Sequence, residues 1–330
     1  MFYLVYWKYL KTEKGVIGML QPGLYEQVVN EEIGEELDVI PPQRRATAAI
    51  DKAEASQVLA QYLASVAQKG LDDLADKGGD VSAQIGLVNQ LIQTIEHTTQ
   101  EADFAPLRVD GRAEQLLALL RENDPLLVMG RTASELPRPE TPLARSSLFT
   151  GALNEPQMFS ELKKEIACAD RIDMLVSFIK WSGLRLILEE LRTFTQNGGQ
   201  LRVISTSYMG ATDPKAIEEL NRLPNTQIKI SYDTDRTRLH AKTYVFYRDT
   251  GFTTAYVGSS NLSKVAMSSG LEWNVKVTAK DLPATMDKIT ATFDSYWNAP
   301  EFELYQAGEH DRLLRALKAE RGRGEDRPRD

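Results

Sequence analysis

A single cysteine, Cys168, stands in 330 residues. One thiol closes no disulfide within the chain and supplies no Cys-based zinc site, so a disulfide-stapled scaffold and a zinc ribbon are excluded. A reducing, cytoplasmic setting is expected. Ile166, Ala167 and Ala169 around the thiol read as a buried helix face, which makes Cys168 an inert core residue. Histidine is scarce too: His97, His240 and His310 are the only three. No cluster of ligand residues with a recognisable metal spacing appears, so no metal and no cofactor is expected. No run approaches the roughly 18–20 apolar residues that span a bilayer. The apolar start at residues 1–8 is short, its lysine follows the apolar run, and no cleavage pattern comes after it. Met1 and Met19 both stand as candidates for the natural start. No Gly-x4-Gly-Lys-Ser/Thr loop occurs, so this chain alone is not expected to hydrolyse ATP. Positive charge is in deficit: 39 Lys and Arg face 47 Asp and Glu, for a net charge of −8. A uniformly basic binder of nucleic acid is excluded, whereas a local basic groove on an acidic body is not.

What is present is ordinary globular composition, 42% hydrophobic and 26% charged, at a length that suggests about two domains. Residues 1–145 read as a mainly helical region. Val58, Leu59, Tyr62, Leu63 and Val66 recur at helical spacing, as do Val81, Ile85, Val88, Leu91, Ile92 and Ile95. Pro41-Pro42 and Gly78-Gly79-Asp80 punctuate it. The stretch 136–147 carries three prolines among polar residues and reads as a linker or crossing segment, with a boundary near 145. Residues 146–300 alternate between strand and helix. Strands are expected at 173–179, 201–205, 227–232, 241–247, 254–257 and 273–278. Helices are expected at 181–195, after Asp213-Pro214, and at 282–297. This is an α/β pattern, a sheet flanked by helices. Residues 301–330 form a charged C-terminal helix and tail or linker.

The chemistry gathers between Arg238 and Lys276. His240 and Lys242 are two apart on an expected strand and so share a face. The residues after them are apolar on both faces, which makes the strand central, and polar groups at its start need partners. Gly258-Ser259-Ser260-Asn261 ends the next strand with hydroxyl and amide donors and a glycine that permits close backbone approach. Glu272 opens the strand after that and could bond one ring nitrogen of a histidine. Together these make an anion cradle with a nucleophile in it. His-x-Lys alone would carry little weight; the ordered conjunction carries more.

That conjunction resembles the phospholipase D superfamily, whose signature is His-x-Lys, a downstream Gly-Ser-x-Asn and an acidic residue about ten positions on. His240-x-Lys242, Gly258-Ser259-x-Asn261 and Glu272 match it, over roughly residues 150–300. The resemblance is to the nuclease branch, with one motif per chain, and implies a phospholipase D-like mixed sheet. The family's aspartate five positions after the lysine is here Tyr247, which points away from the lipid-cleaving branch. The chain also resembles the N-terminal part of bacterial proteins that join such a nuclease to a superfamily 2 helicase. Its cues are Gly23-Leu24-Tyr25-Glu26, residues 138–143 and residues 270–276. A helicase domain or partner and a role in antiviral defence follow from that resemblance only.

The resemblance implies a phosphohistidine intermediate, with a second histidine protonating the leaving oxygen. His97 and His310 lack the His-x-Lys setting, so a second His240 from a twofold-related copy is expected to complete the site. In this scheme His240 is nucleophile in one copy and general acid in the other. Lys242, Ser259 and Asn261 hold the phosphate oxygens, and Glu272 orients His240. The expected substrate is nucleic acid, most simply DNA. Arg236, Arg238, Arg248 and Lys264 are candidates for its backbone, and Tyr208, Tyr232 and Trp273 for stacking on bases, although Trp273 reads better as core. The alternatives are a lipid or small phosphodiester hydrolase, and a non-catalytic dimerising module that docks nucleic acid.

Overall fold

The computed structural model describes residues 20–120, 122, 125–152, 155–234, 238–268 and 272–325. Contacts divide the chain into two compact units, residues 1–117 and residues 118–330. The first is mostly helical. Helix α1 (Glu31–Asp38) starts where the Asn30 side chain accepts the Ile33 N–H at 2.9 Å. Helices α2 (Ala55–Asp76) and α3 (Val81–Thr99) flank the double glycine. Asp80 caps α3 by accepting the Ala83 N–H at 2.9 Å, which satisfies one of the free donors of the first turn. None of these three helices buries a residue completely. Among the described residues no helix is long and apolar enough to cross a membrane.

The second unit opens with α4 (Pro125–Val128) and is built on one eight-stranded mixed sheet in the order β1-β7-β6-β5-β2-β3-β4-β8. Its strands are β1 (Ser147–Phe149), β2 (Arg171–Val176), β3 (Gln200–Thr206), β4 (Thr226–Ser231), β5 (Lys242–Tyr247), β6 (Thr254–Gly258), β7 (Asn274–Thr278) and β8 (Phe302–Leu304). The neighbours β2, β3 and β4 are parallel, and all other pairs are antiparallel. The helices are α5 (Met158–Ala167), α6 (Trp181–Leu184), α7 (Leu188–Gln196), α8 (Pro214–Asn221), α9 (Lys264–Ser268), α10 (Pro283–Asn298) and α11 (His310–Glu325). The expected helix over 181–195 is two helices, with a break at 185–187. The stretch 136–147 leads onto the sheet: Glu140 and Thr141 N–H groups donate to the buried Glu161, and β1 follows as an edge strand.

Alternation along the strands sorts the core into two sides. Met174, Val176, Tyr244, Phe246 and Tyr256 join the larger cluster with residues of α5, α7, α8 and α11. Leu175, Ile204, Val245, Ala255 and Val277 face the other side, where Met286 and Phe293 of α10 pack. Covering this second side with α10 leaves a row across the sheet partly open: Leu148, Val275 and Val257 are cross-strand neighbours, each at least 36% exposed.

A buried ion network fastens α5 to three strands at once. Glu165, fully buried, pairs with Arg248 just after β5 and with Lys276 of β7 at 3.1 Å. It also accepts from Tyr256 Oη at 2.8 Å and Thr254 Oγ1 at 2.9 Å, both on β6. Burial works against its charge, but the two cations outweigh it and hold the carboxyl below its ordinary range. Cys168 lies beside Arg248, 2.9 Å from Nη2, and burial pushes its thiol up, as befits an unreactive residue.

Candidate active site

The directions of the strands bring the chemistry to one edge of the sheet. The ends of β2, β3 and β6 and the starts of β5 and β7 all lie there. Crevices beyond the carboxyl ends of parallel strands are where α/β sheets bind ligands. His240 lies just before β5 and is exposed; Lys242 is the first residue of β5 and is 4% exposed. The Lys242 Nζ sits 2.9 Å from His240 Nδ1 and donates to the His240 carbonyl oxygen at 2.6 Å. The Phe178 ring and the imidazole lie nearly perpendicular, with centroids 6.3 Å apart. Burial lowers the Lys242 pKa, and the nearby Glu272 carboxylate counters part of that shift.

The Gly-Ser-x-Asn turn is fixed on both sides. Gly258 allows β6 to touch β7: a Cβ there would lie 2.1 Å from the Trp273 carbonyl oxygen. Ser259 and Trp273 bond reciprocally, N–H to carbonyl at 3.0 Å and Trp273 N–H to Ser259 Oγ at 3.1 Å. Asn261 Oδ1 accepts the Phe178 N–H at 3.1 Å, which turns its Nδ2 donors away from that bond. The Lys180 N–H donates to the Leu262 carbonyl at 2.8 Å, and Ile179 and Leu262 form a β-bridge. Gly183 makes room for this: a Cβ on it would lie 2.4 Å from the Leu262 carbonyl carbon.

His240, Lys242, Ser259, Asn261 and Glu272 therefore share one edge. Glu272 acts on Lys242 and on Tyr244 through its charge, and no hydrogen bond from it to His240 is present among the described residues. Of the expected backbone-tracking cations, Arg238 and Lys264 are exposed. Arg236 lies outside the described residues. Arg248 is 8% exposed and spends its guanidinium on Glu165, Cys168 and the Phe252 carbonyl, so it cannot reach a ligand. Trp273, expected in the core, is 65% exposed, because the strand face it follows is the one α10 leaves open. Tyr208 and Tyr232 are half-buried. At Tyr247, where the resembled family has aspartate, the Arg171 guanidinium lies over the ring at 3.7 Å.

Sequence reasoning passed over the residues that hold these. Ser260 is fully buried and bonds Asn274 twice, Nδ2 to Oγ at 2.7 Å and N–H to Oδ1 at 3.3 Å. Its carbonyl receives the Tyr244 hydroxyl at 3.0 Å. Ser177 donates to the Ala241 carbonyl, between the two motif residues. Asn274 was discoverable: it stands two before Lys276, on the buried face of a strand, where a polar side chain requires a partner.

Residues 162–297, less than half of the chain, match the family described as "Cardiolipin synthase, PLD-like domain". No curated protein matches the chain. Solved structures similar to it include NucT from Helicobacter pylori, at 20% identity and a TM-score of 0.35, over 46% of this chain and 94% of that one. Nuc from Salmonella typhimurium, described as a phospholipase D family member, aligns at 19% identity and a TM-score of 0.36, over 49% of this chain and 100% of that one. Polyphosphate kinase from Porphyromonas gingivalis aligns at 14% identity and a TM-score of 0.34, over 60% of this chain and 32% of that one.

Proposed function

We propose that the chain is a metal-independent phosphodiesterase, a nuclease that cleaves DNA through a phosphohistidine in a site shared by two copies. The observation that carries this reading is the packing of His240 against Lys242 at the sheet edge, with Asn261 held by its oxygen and its amide donors without a partner among the described residues. The match of residues 162–297 to a PLD-like domain supports it.

In the proposed reaction His240 Nε2 attacks phosphorus, forming a P–N bond while the P–O bond to the leaving strand breaks. The leaving oxygen takes a proton from His240 of the second copy. That histidine then removes a proton from water, which attacks phosphorus and releases His240 as the P–N bond breaks. Lys242, Ser259 and Asn261 hold the non-bridging oxygens as charge develops. Glu272 has no bond to the ring in its own chain, so its orienting role is assigned across the pair, onto the second copy's His240. The exposed row Leu148, Val275 and Val257, with Trp273 beside the site, is apolar surface that a second copy could cover. The helicase expectation gains no support from the comparisons, and the proposal does not extend to it.

The test is cleavage of DNA by the purified chain in EDTA, compared with His240→Ala. Metal-independent cleavage that disappears in the variant is the expected result; equal cleavage by both proteins refutes the proposal.

A further inference from the structure

The last helix, α11, lies beyond residues 162–297 and so outside the PLD-like match. Its inward face carries Leu313 and Leu317, 0% and 2% exposed, and then Glu320, at 6%. Spacing of four and three puts all three on one stripe, where the third position would ordinarily be apolar. A carboxylate buried there needs partners, and it has them. Thr234 Oγ1 donates to Glu320 Oε1 at 2.7 Å, and the Met209 N–H donates to Oε2 at 3.3 Å. Next to it Arg321 Nε donates to the Gly210 carbonyl at 2.8 Å.

Each partner belongs to a loop of the catalytic edge. Met209 sits in the turn after β3 with φ +58, a left-handed conformation that disfavours a side chain. Gly210 follows at φ +59, with the helix so close that a Cβ would lie 2.4 Å from the Leu317 carbonyl oxygen. That turn runs on into Thr212 and Asp213. Thr212 Oγ1 receives the Ile179 N–H at 3.4 Å, and the Asp213 carboxylate receives the Trp181 N–H at 2.9 Å. Residues 178–181 are the segment that holds Asn261. Thr234 is six residues before His240, on the connection from β4 to β5. Its strand end is tied to β3 as well, since the Ser231 carbonyl accepts from Ser207 N–H at 3.0 Å.

We infer that Glu320 is a positioning residue: the C-terminal helix clamps the β3 turn and Thr234 beyond the end of β4, and so sets the imidazole for attack through segment 178–181, whose Phe178 packs against His240. The PLD-like domain of this chain depends on a helix that the family match does not include. The inference rests on the phosphodiesterase reading for its catalytic part, while the clamp itself is measurable without turnover.

The experiment uses the full chain and the variants Thr234→Val, Thr234→Ser and Glu320→Gln. Turnover of bis(p-nitrophenyl) phosphate, thermal unfolding and the histidine ring signals in carbon-13 spectra are read together. With only three histidines, His240 is assigned by its loss in His240→Ala. Thr234→Val and Glu320→Gln should lower kcat about tenfold through misplacement of the imidazole, with KM little changed. The His240 signal should shift or broaden while that of His97 does not move. Thr234→Ser, which keeps the hydroxyl, should behave as wild type. Wild-type kcat and an unmoved His240 signal in Thr234→Val would overturn the inference, as would a fall in kcat that only tracks the unfolded fraction. A wild type that turns over no phosphodiester sinks the proposed function, and the histidine signals then decide the clamp alone.

Discussion

Replacing Glu165 with Gln removes the one anion that two buried cations share. Lys276 is fully buried, and the Arg248 side chain is 5% exposed. Glutamine keeps the shape and can still accept from Tyr256 or Thr254. Its amide, however, presents hydrogen to at least one cation, leaves Arg248 without its anion, and leaves Lys276 only the charge of the buried Glu161. Breaking a buried ion pair from one side costs about 3–5 kcal/mol. For a unit of this size each kcal/mol moves the melting temperature by about 2–4 °C, so a fall of roughly 6–20 °C is expected. The assay is thermal and urea unfolding of the full chain at neutral pH. A loss below about 1 kcal/mol would refute the reasoning, since that is the worth of an ordinary surface ion pair. The pH dependence has a definite sign. The folded carboxyl lies below its ordinary value of 4.5, so its contribution is complete above that pH. It fades as pH falls and is gone once pH passes through the lower folded value. The gap between wild type and variant should therefore narrow in acid; a constant gap down to pH 3 would also refute the argument.

Two further outcomes are expected. Gly183→Ala drives a Cβ against the Leu262 backbone, and should cost about 1–3 kcal/mol in urea unfolding while loosening the Asn261 turn. A stability equal to wild type would show that α6 and the turn part freely. Glu272→Gln removes the charge that raises the Lys242 pKa against burial, so that pKa should fall. If Lys242 works as an ammonium, the alkaline limb of kcat against pH moves to lower pH; an unmoved limb would separate Glu272 from Lys242.

Much of the sheet was legible because strand and helix leave different periods in sequence. Strands β2 to β7 lie where apolar runs and turn residues placed them, within a few positions. The edge strands β1 and β8 were not, because three residues carry no period. The candidate site was legible through order, not through any local physics: His240, Lys242, Ser259, Asn261 and Glu272 are polar residues beside strand ends, and only their order along the chain marks them as candidates. Arg248 shows the limit. From the sequence it is a cation near a motif, like Arg238. Its burial depends on Glu165, 83 residues away, and long-range pairing of that kind has no local signature. Trp273 fails in the opposite direction, since an aromatic in a strand reads as core unless one knows which face a later helix covers.

The geometry at His240 sharpens why one chain falls short of the proposed reaction. With Lys242 as an ammonium, its N–H can only donate, so the neutral imidazole meets it with the Nδ1 lone pair and carries its proton on Nε2. That tautomer suits neither role as it stands: a general acid must be the imidazolium, protonated on both nitrogens, because a neutral ring that gave up its Nε2 proton would be left as imidazolate. A nucleophile needs the reverse, a free Nε2 and a proton on Nδ1 held by an acceptor. Among the described residues no carboxylate bonds that ring, and Glu272 acts on Lys242 through its charge. Two copies sharing a phosphate can divide the roles, but only if bound substrate breaks their symmetry. Both histidines must therefore give up the lysine contact on Nδ1, one for an acceptor that orients it to attack, the other on taking a second proton. On this argument the buried Lys242 does more than hold phosphate oxygens: it keeps His240 in a resting tautomer, and bound phosphate releases the ring by drawing the ammonium onto its own oxygens.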